Sequence, residues 1–199
     1  MDTRDALREA ARDPERGWAQ ILPRIERKLR VLYHFRTTPE LRAAAPEDDL
    51  IQEVFAEMLA GIHRFQDRGP GSLERWLAGI LRHRIEDART SERRRPKAET
   101  ALRRLDGSAE TAFPGLLQAV EDSRAGVTQT VAERERIARV RRVIESLSPR
   151  SREAILLKIY EGRTGRECAD LLGIDESTFS YRMKRALDSC RVSLKDMSS

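Results

Sequence analysis

Ser177, Thr178, Ser180, Tyr181, Arg182, Lys184 and Arg185 crowd hydroxyl, phenol, ammonium and guanidinium groups into one short run of the chain. Such groups hydrogen-bond to anionic oxygens and to base edges. Arg75, Trp76, Arg82, His83 and Arg89 mix cations with ring systems, which suits phosphate attraction and stacking on an unpaired base. Asp49, Gln52 and Glu53 form an outward-facing polar set beside an apolar stripe. Catalysis would need converging acid–base, nucleophile or metal groups. No phosphate-cradling glycine loop or His–carboxylate arrangement stands out, and His34, His63 and His83 lack ligand-like spacing with Cys168 or Cys190. The expectation is a binding protein, not an enzyme, with no metal and no other cofactor.

The hydroxyl-rich run has to be held by a helix. Phe179, Met183, Ala186, Leu187 and Cys190 recur at helical spacing and make one apolar stripe. Ser177, Thr178, Tyr181, Lys184 and Arg185 project from the other side, with Ser180 and Arg182 on the shoulders. Just upstream, Thr164-Gly165-Arg166-Glu167 matches a capping box. Cys168, Ala169, Leu171 and Leu172 form the inner face of the short helix that follows. Gly173 can end it in the left-handed conformation, and Asp175 can cap the next. Two short helices about a glycine turn, the second with a polar and basic exterior, fit a helix-turn-helix. An ordinary αα-corner in a bundle is the plainer alternative. Further upstream, Ile137, Val140, Val143, Ile144 and Leu147 make another stripe, and Ser148-Pro149 starts a helix carrying Ile155, Leu156 and Ile159.

The aromatic–basic set belongs to an earlier block. Trp18, Ile21, Leu22, Ile25, Leu29 and Leu32 predict a helix with one buried face, after which Pro39 and Pro46 punctuate a loop. Pro46 suits a first-turn position, with Glu47, Asp48 and Asp49 complementing the helix dipole. That helix carries Leu50, Ile51, Val54, Phe55, Met58, Leu59, Ile62 and Phe65, with Gln52, Glu53 and Glu57 outward. After Gly69-Pro70-Gly71, Ser72 can cap a third helix built on Leu73, Leu77, Ile80, Leu81, Ile85 and Ala88. Arg75, Arg82, Glu86 and Arg89 lie opposite its stripe, with His83 at the margin, and the helix runs on into Arg93-Arg94-Arg95. A solvated Arg-rich face, with Trp76 as core filler, is the bland alternative to a nucleic-acid surface.

With 199 residues, the chain is long enough for one ordinary domain or two small ones. Thirty-eight Lys and Arg against 33 Asp and Glu give a formal net charge of +5, which permits a polyanionic partner without requiring one. The helical blocks divide the chain into a tail (1–17), a first domain (18–95), a linker (96–132), a second domain (133–194) and a short tail (195–199). The fold class is all-α. The linker is mildly acidic, with Lys97, Arg103, Arg104 and Arg124 against Glu99, Asp106, Glu110, Glu121 and Asp122. No apolar run approaches the ~20 residues that span a bilayer, and Met1 to Arg16 lacks the apolar core of a signal peptide. Membrane insertion is not expected, and a cytoplasmic location is. Cys168 and Cys190 fall on apolar stripes and read as reduced packing residues.

Taken together, the two blocks resemble the sigma factors of bacterial RNA polymerase, specifically the extracytoplasmic-function group, which keeps only the second and fourth conserved regions. Asp48-Asp49-Leu50-Ile51-Gln52-Glu53-Val54-Phe55 is similar to the family's EDLVQEVF stretch, which binds the clamp helices of the polymerase's largest subunit. The resemblance therefore implies core-polymerase contacts at Asp49, Leu50, Gln52, Glu53 and Phe55. SLERWLAGILRHRIEDARTSERRR, Ser72 to Arg95, resembles the segment that melts and reads the −10 element, which implies roles for Arg75, Trp76, Arg82, His83, Asp87, Arg89 and Arg93. LSPRSREAILLKIYEGRTGRECADLLGIDESTFSYRMKRAL, Leu147 to Leu187, resembles the region that reads the −35 element and docks on the flap of the second-largest subunit. It implies −35 contacts at Ser177, Thr178, Ser180, Tyr181, Arg182, Lys184 and Arg185. The sequence departs from the family pattern at His83, usually Asn, at Cys168, usually Ile, at Gly165, commonly Tyr, and at Pro46, where an acid is common.

The implied partners are core RNA polymerase and promoter DNA, with an anti-sigma factor as a further candidate. Two small basic domains on a tether can each bind weakly and together bind well, through effective concentration. The competing assignment is a conventional helix-turn-helix regulator, dimeric through its first block and bound to palindromic operators.

Overall fold

The structure is a computed structural model that describes residues 12–90, 120 and 131–196. Every element among them is helical. They fall into two compact units that divide between Gln129 and Thr130. Arg93, most of the expected linker and the ends of both expected tails lie outside the described residues.

In the first unit, α1 spans Pro14–Arg36 and buries Trp18, Ile21, Leu22, Ile25, Leu29 and Leu32, the stripe its periodicity predicts. The segment expected to be a loop is instead partly helical, as α2, Pro39–Ala44. The reason is local: Thr38 accepts from the Leu41 amide at 3.3 Å, and Pro39 pre-sets the first turn. Helix α3, Glu47–Gly61, begins one residue after Pro46, which is the cap and not the first turn. Helix α4, Ser72–Thr90, buries Leu73, Leu77, Ile80, Leu81 and Ile85. Ser72 is its first residue rather than its cap. Asp67 braces the loop ahead of it, accepting from the Gly69 amide at 2.9 Å and the Ser72 hydroxyl at 2.8 Å.

Charged pairs tie these helices together. Arg30, only 3% exposed, donates to Glu26 at 2.9 Å, to Asp48 at 2.6 Å and to Glu47 at 3.2 Å, fastening α1 to the acidic start of α3. Burial penalises the Arg30 charge, but Asp48, Glu26 and Glu47 more than compensate, and its pKa is raised. Lys28 pairs with the buried Glu74 at 2.8 Å between α1 and α4. Arg84 reaches back from α4 to Glu57 on α3, with its Nε 2.8 Å from the carboxylate.

The second unit opens with α5, Val131–Glu145, so residues 131 and 132, expected in the linker, are helical. Ser148 accepts from the Ser151 amide and Pro149 leads α6, Pro149–Ile155, which continues through a wider π-type turn over Leu156–Tyr160. Arg152 folds back onto the end of α5, donating to the carbonyls of Ile144, Glu145 and Leu147. That closes carbonyls the helix end leaves open. Helix α7 is Gly165–Leu172 and α8 is Glu176–Asp196. Ala154, Leu157, Cys168, Ala169 and Phe179 pack into one cluster, flanked by Leu172, Ile174 and Met183. Several expected inner-face residues differ: Leu171 is 57% and Ile159 38% exposed, and Leu172, Met183, Leu187 and Cys190 are only half-buried.

Candidate nucleic-acid interfaces

The second unit builds its candidate interface from caps outward. Thr164 and Glu167 form the predicted reciprocal box: the Thr164 amide donates to Glu167 at 2.7 Å and the Glu167 amide to the Thr164 hydroxyl at 3.2 Å. Gly173, at φ 62 and ψ 38, makes the left-handed turn that ends α7, a conformation costly for any residue with a Cβ. Asp175 then caps α8, accepting from the Thr178 amide at 2.8 Å, from the Thr178 hydroxyl at 2.6 Å and from the Ser177 hydroxyl. The hydroxyl bonds to Ser177 and Thr178, with the Thr178 amide, hold the Asp175 carboxyl well below the usual carboxylate range.

Phe179 is buried at 2% exposure and fixes the rotation of α8. Tyr181, 64% exposed, turns outward, and Lys184 and Arg185 are exposed as well. The Arg185 guanidinium lies 5.9 Å from the Tyr181 ring centroid, within cation–π reach. Ser180 is exposed and Arg182 half-buried on the shoulders. The predicted face is therefore on the surface as a ridge. Ser177 and Thr178 work differently from expectation, because their hydroxyl protons point into the Asp175 cap and not toward a phosphate.

In the first unit the aromatic–basic set borders an open groove of about 600 Å³ between the end of α3, the following loop and α4. Phe65 and Trp76 face each other there with centroids 5.4 Å apart, and Arg64, Arg68 and Arg75 line it. A Cβ on Gly61 would stand 3.2 Å from the Trp76 ring, so a residue without a side chain lets the indole lie against α3. Arg82 and His83 are exposed farther along α4. Asp87 receives Arg84 at 3.4 Å, and Arg89 donates to the Arg36 carbonyl at 2.9 Å and pairs with Glu86 at 3.2 Å. Both therefore help hold the fold.

The acidic set on α3 divides. Asp49 is exposed, and Gln52 and Glu53 are half-buried. Leu50 and Phe55, expected at a partner surface, are each 4% exposed and belong to the core. They set the rotation of α3; they do not present contact surface.

Residues 23–95 match the family described as Sigma-70 region 2, and residues 137–190 match the one described as Sigma-70, region 4. The chain belongs to the sigma-70 family, in its extracytoplasmic-function group. Similar relatives are the "ECF RNA polymerase sigma factor SigD" proteins of Mycobacterium bovis and Mycobacterium tuberculosis, each 28% identical over 148 residues. The match covers 73% of this chain and 62% of each relative's length. No solved structure matches the chain.

Within this sigma-70 chain, the two matched regions contain both candidate interfaces. Phe65, Arg64 and Arg68 were missed by sequence reasoning, because only tertiary packing brings that loop against Trp76. Glu176 is exposed at the start of α8, with its carboxylate beside Gly165 of α7. Burial raises the pKa of both Cys168 and Cys190, which keeps them as thiols, and pushes Tyr160 up to about 12. Among the described residues no cluster of His, Cys, Asp and Glu could hold a metal ion, and no helix is long and apolar enough to cross a membrane.

Proposed function

We propose that the chain is a promoter-specificity subunit: it binds core RNA polymerase and directs transcription initiation. The second unit reads the duplex −35 element, and the first engages the melted −10 strand. The observation that carries this is the outward ridge of Tyr181, Lys184 and Arg185 on a helix whose rotation is fixed by Phe179. A helix of that width enters the major groove, where these side chains reach base edges and phosphates.

Support for the −10 assignment comes from the Phe65–Trp76 groove and its arginines. An aromatic wall can stack a base once it leaves the duplex, and cations draw its phosphates. Arg82 and His83 extend the same helix along the strand, and the sequence carries Arg93 beyond it. Asp49, Gln52 and Glu53 are the residues proposed to contact core polymerase, with Leu50 and Phe55 holding α3 in register behind them. The subunit performs no reaction itself and works in the cytoplasm. Neither contact has to be tight alone, since joining them raises the effective concentration of the second.

Reconstitution with purified core polymerase tests the proposal. Glu53→Ala is expected to weaken core binding at least several-fold. Lys184→Ala with Arg185→Ala is expected to weaken binding to −35 duplex and to reduce its salt slope by about one for each phosphate no longer neutralised. No core binding by the wild-type chain, with unchanged affinity and slope in the double variant, would contradict it. A stable dimer on palindromic duplex would favour the operator-binding regulator instead.

A further inference from the structure

We infer that Glu176 determines specificity in the duplex-reading helix by selecting cytosine in the major groove; this rests on the −35 function proposed above. The first residues of a recognition helix are the ones that reach base edges. At this helix start most of them are already engaged. Asp175 is consumed by its cap, and the hydroxyl protons of Ser177 and Thr178 are consumed with it. Glu176, the first residue of α8, is exposed, and no hydrogen bond or ion pair among the described residues takes its carboxylate.

The neighbouring helix leaves room for this carboxylate. Its oxygen lies 3.0 Å from where a Cβ on Gly165 would stand, so the bare first turn of α7 accommodates it. Both residues line a groove of about 600 Å³ that also holds Lys158, Ser180, Lys184 and Arg191. Arg191 is paired with Asp188 of the same groove at 2.8 Å, so Lys158 and Lys184 are the cations that offset the repulsion a carboxylate meets beside phosphates. A carboxylate can only accept hydrogen bonds. In the major groove it is met by the N4 amino group of cytosine; guanine and thymine oppose it with acceptor oxygens, and adenine sets the N7 acceptor beside its N6 donor, which repels the second carboxylate oxygen. Phosphate attraction by the cations is blind to sequence; Glu176 adds the base choice.

Full-length chain assembled with core RNA polymerase would be selected against a duplex library randomised across the −35 element. The variants Glu176→Gln, Gly165→Ala and Lys184→Ala would be selected in parallel. Wild type should enrich cytosine about tenfold at one position. Glu176→Gln should lose that preference and move toward adenine at that position alone, since a Gln side chain pairs with adenine N6 and N7. Gly165→Ala, which displaces the Glu176 tip, should weaken the same position. Lys184→Ala should lower affinity across sequences and leave the cytosine preference in place. A Glu176→Gln profile identical to wild type, or one flattened equally at every position, overturns the inference, as does a wild type that enriches −35 sequences without cytosine. A wild type that enriches no −35 sequence overturns the duplex-reading function, and this inference falls with it. Far-UV circular dichroism and thermal melting of each variant separate lost folding from lost recognition.

Discussion

In residues 12–90 the side chains expected to meet partners are interleaved with those that hold the fold, whereas in residues 131–196, apart from Ser177 and Thr178 in the Asp175 cap, the two sets stand on opposite sides of one helix. Trp76 lies against Gly61 and Phe65, Asp87 is tied to Arg84, and Arg89 to the Arg36 carbonyl. On α8, Phe179 faces the core while Tyr181, Lys184 and Arg185 face solvent. The difference suits the two tasks proposed for these units. A duplex presents its groove ready-made, and a preformed ridge is enough to read it. An unpaired base has to be held from more than one side, which calls for a groove assembled from several elements. Mutational effects on binding and on stability should therefore separate cleanly in the second unit and run together in the first.

The sharpest test of that separation is Phe179→Ala against Tyr181→Ala. Removing the buried ring should cost about 3–5 kcal/mol of stability in the second unit. Removing the exposed one should change stability by less than about 0.5 kcal/mol. Both should abolish −35 binding, the first by unfolding the helix and the second by stripping the ridge of its ring. Urea titration with parallel duplex-binding measurements checks this, and equal stability losses would break the comparison.

Arg30→Met comes next. It leaves Glu26, Glu47 and Asp48 without their shared cation, but Glu47 and Asp48 keep access to water, at 26% and 58% side-chain exposure. The loss should be about 2 kcal/mol, below the 3–5 kcal/mol seen when a fully buried pair is broken. Core-polymerase binding should weaken along with it, because Arg30 fastens the start of α3. A variant that lost stability while binding core polymerase normally would separate what the comparison holds together.

Thr164→Ala is expected to cost about 1 kcal/mol by opening the capping box, measured by thermal melting. A matching loss with Glu167→Ala would show the two acting as one unit.

These cases also explain what the sequence made readable. The Thr164–Glu167 box, Ser148-Pro149, Gly173 and Asp175 are each written in a few contiguous residues, and all take the predicted geometry. The stripes of α1 and α4 were readable from period alone; that of α3 held as far as Leu59, since Ile62 and Phe65 lie beyond its end at Gly61, and that of α8 is buried only at Phe179 and Ala186. Arg30 was not: its partners Glu47 and Asp48 are 17 and 18 residues away on another helix, and nothing local marks it as buried. The helix over Pro39–Ala44 had its signal in Thr38-Pro39, but the two prolines suggested a loop. Leu50 and Phe55 lie on the apolar stripe, and that periodicity already marks them as core. The groove at Trp76 depends on a loop folding back over α4, which helical periodicity does not encode.

The smallest effect should be a change in pH dependence. The Asp175 carboxyl is depressed in the folded chain by Ser177 and Thr178, so its contribution is complete above the ordinary carboxylate value of about 4 and is lost as pH falls through the lower folded value. Asp175→Asn keeps a capping acceptor but does not titrate. Melting temperature followed from pH 6 downward should show a steeper acid loss in wild type than in the variant. Parallel curves would remove Asp175 from the account.

In vitro transcription with purified components tests the central claim, two contact surfaces that together direct a polymerase to promoters, most directly. Core polymerase with the wild-type chain should start at a defined promoter site from the −35 and −10 sequences it selects. Tyr181→Ala and Trp76→Ala should each abolish that start, the former with the second unit's stability intact. The same scattered transcripts with and without the chain would contradict the account.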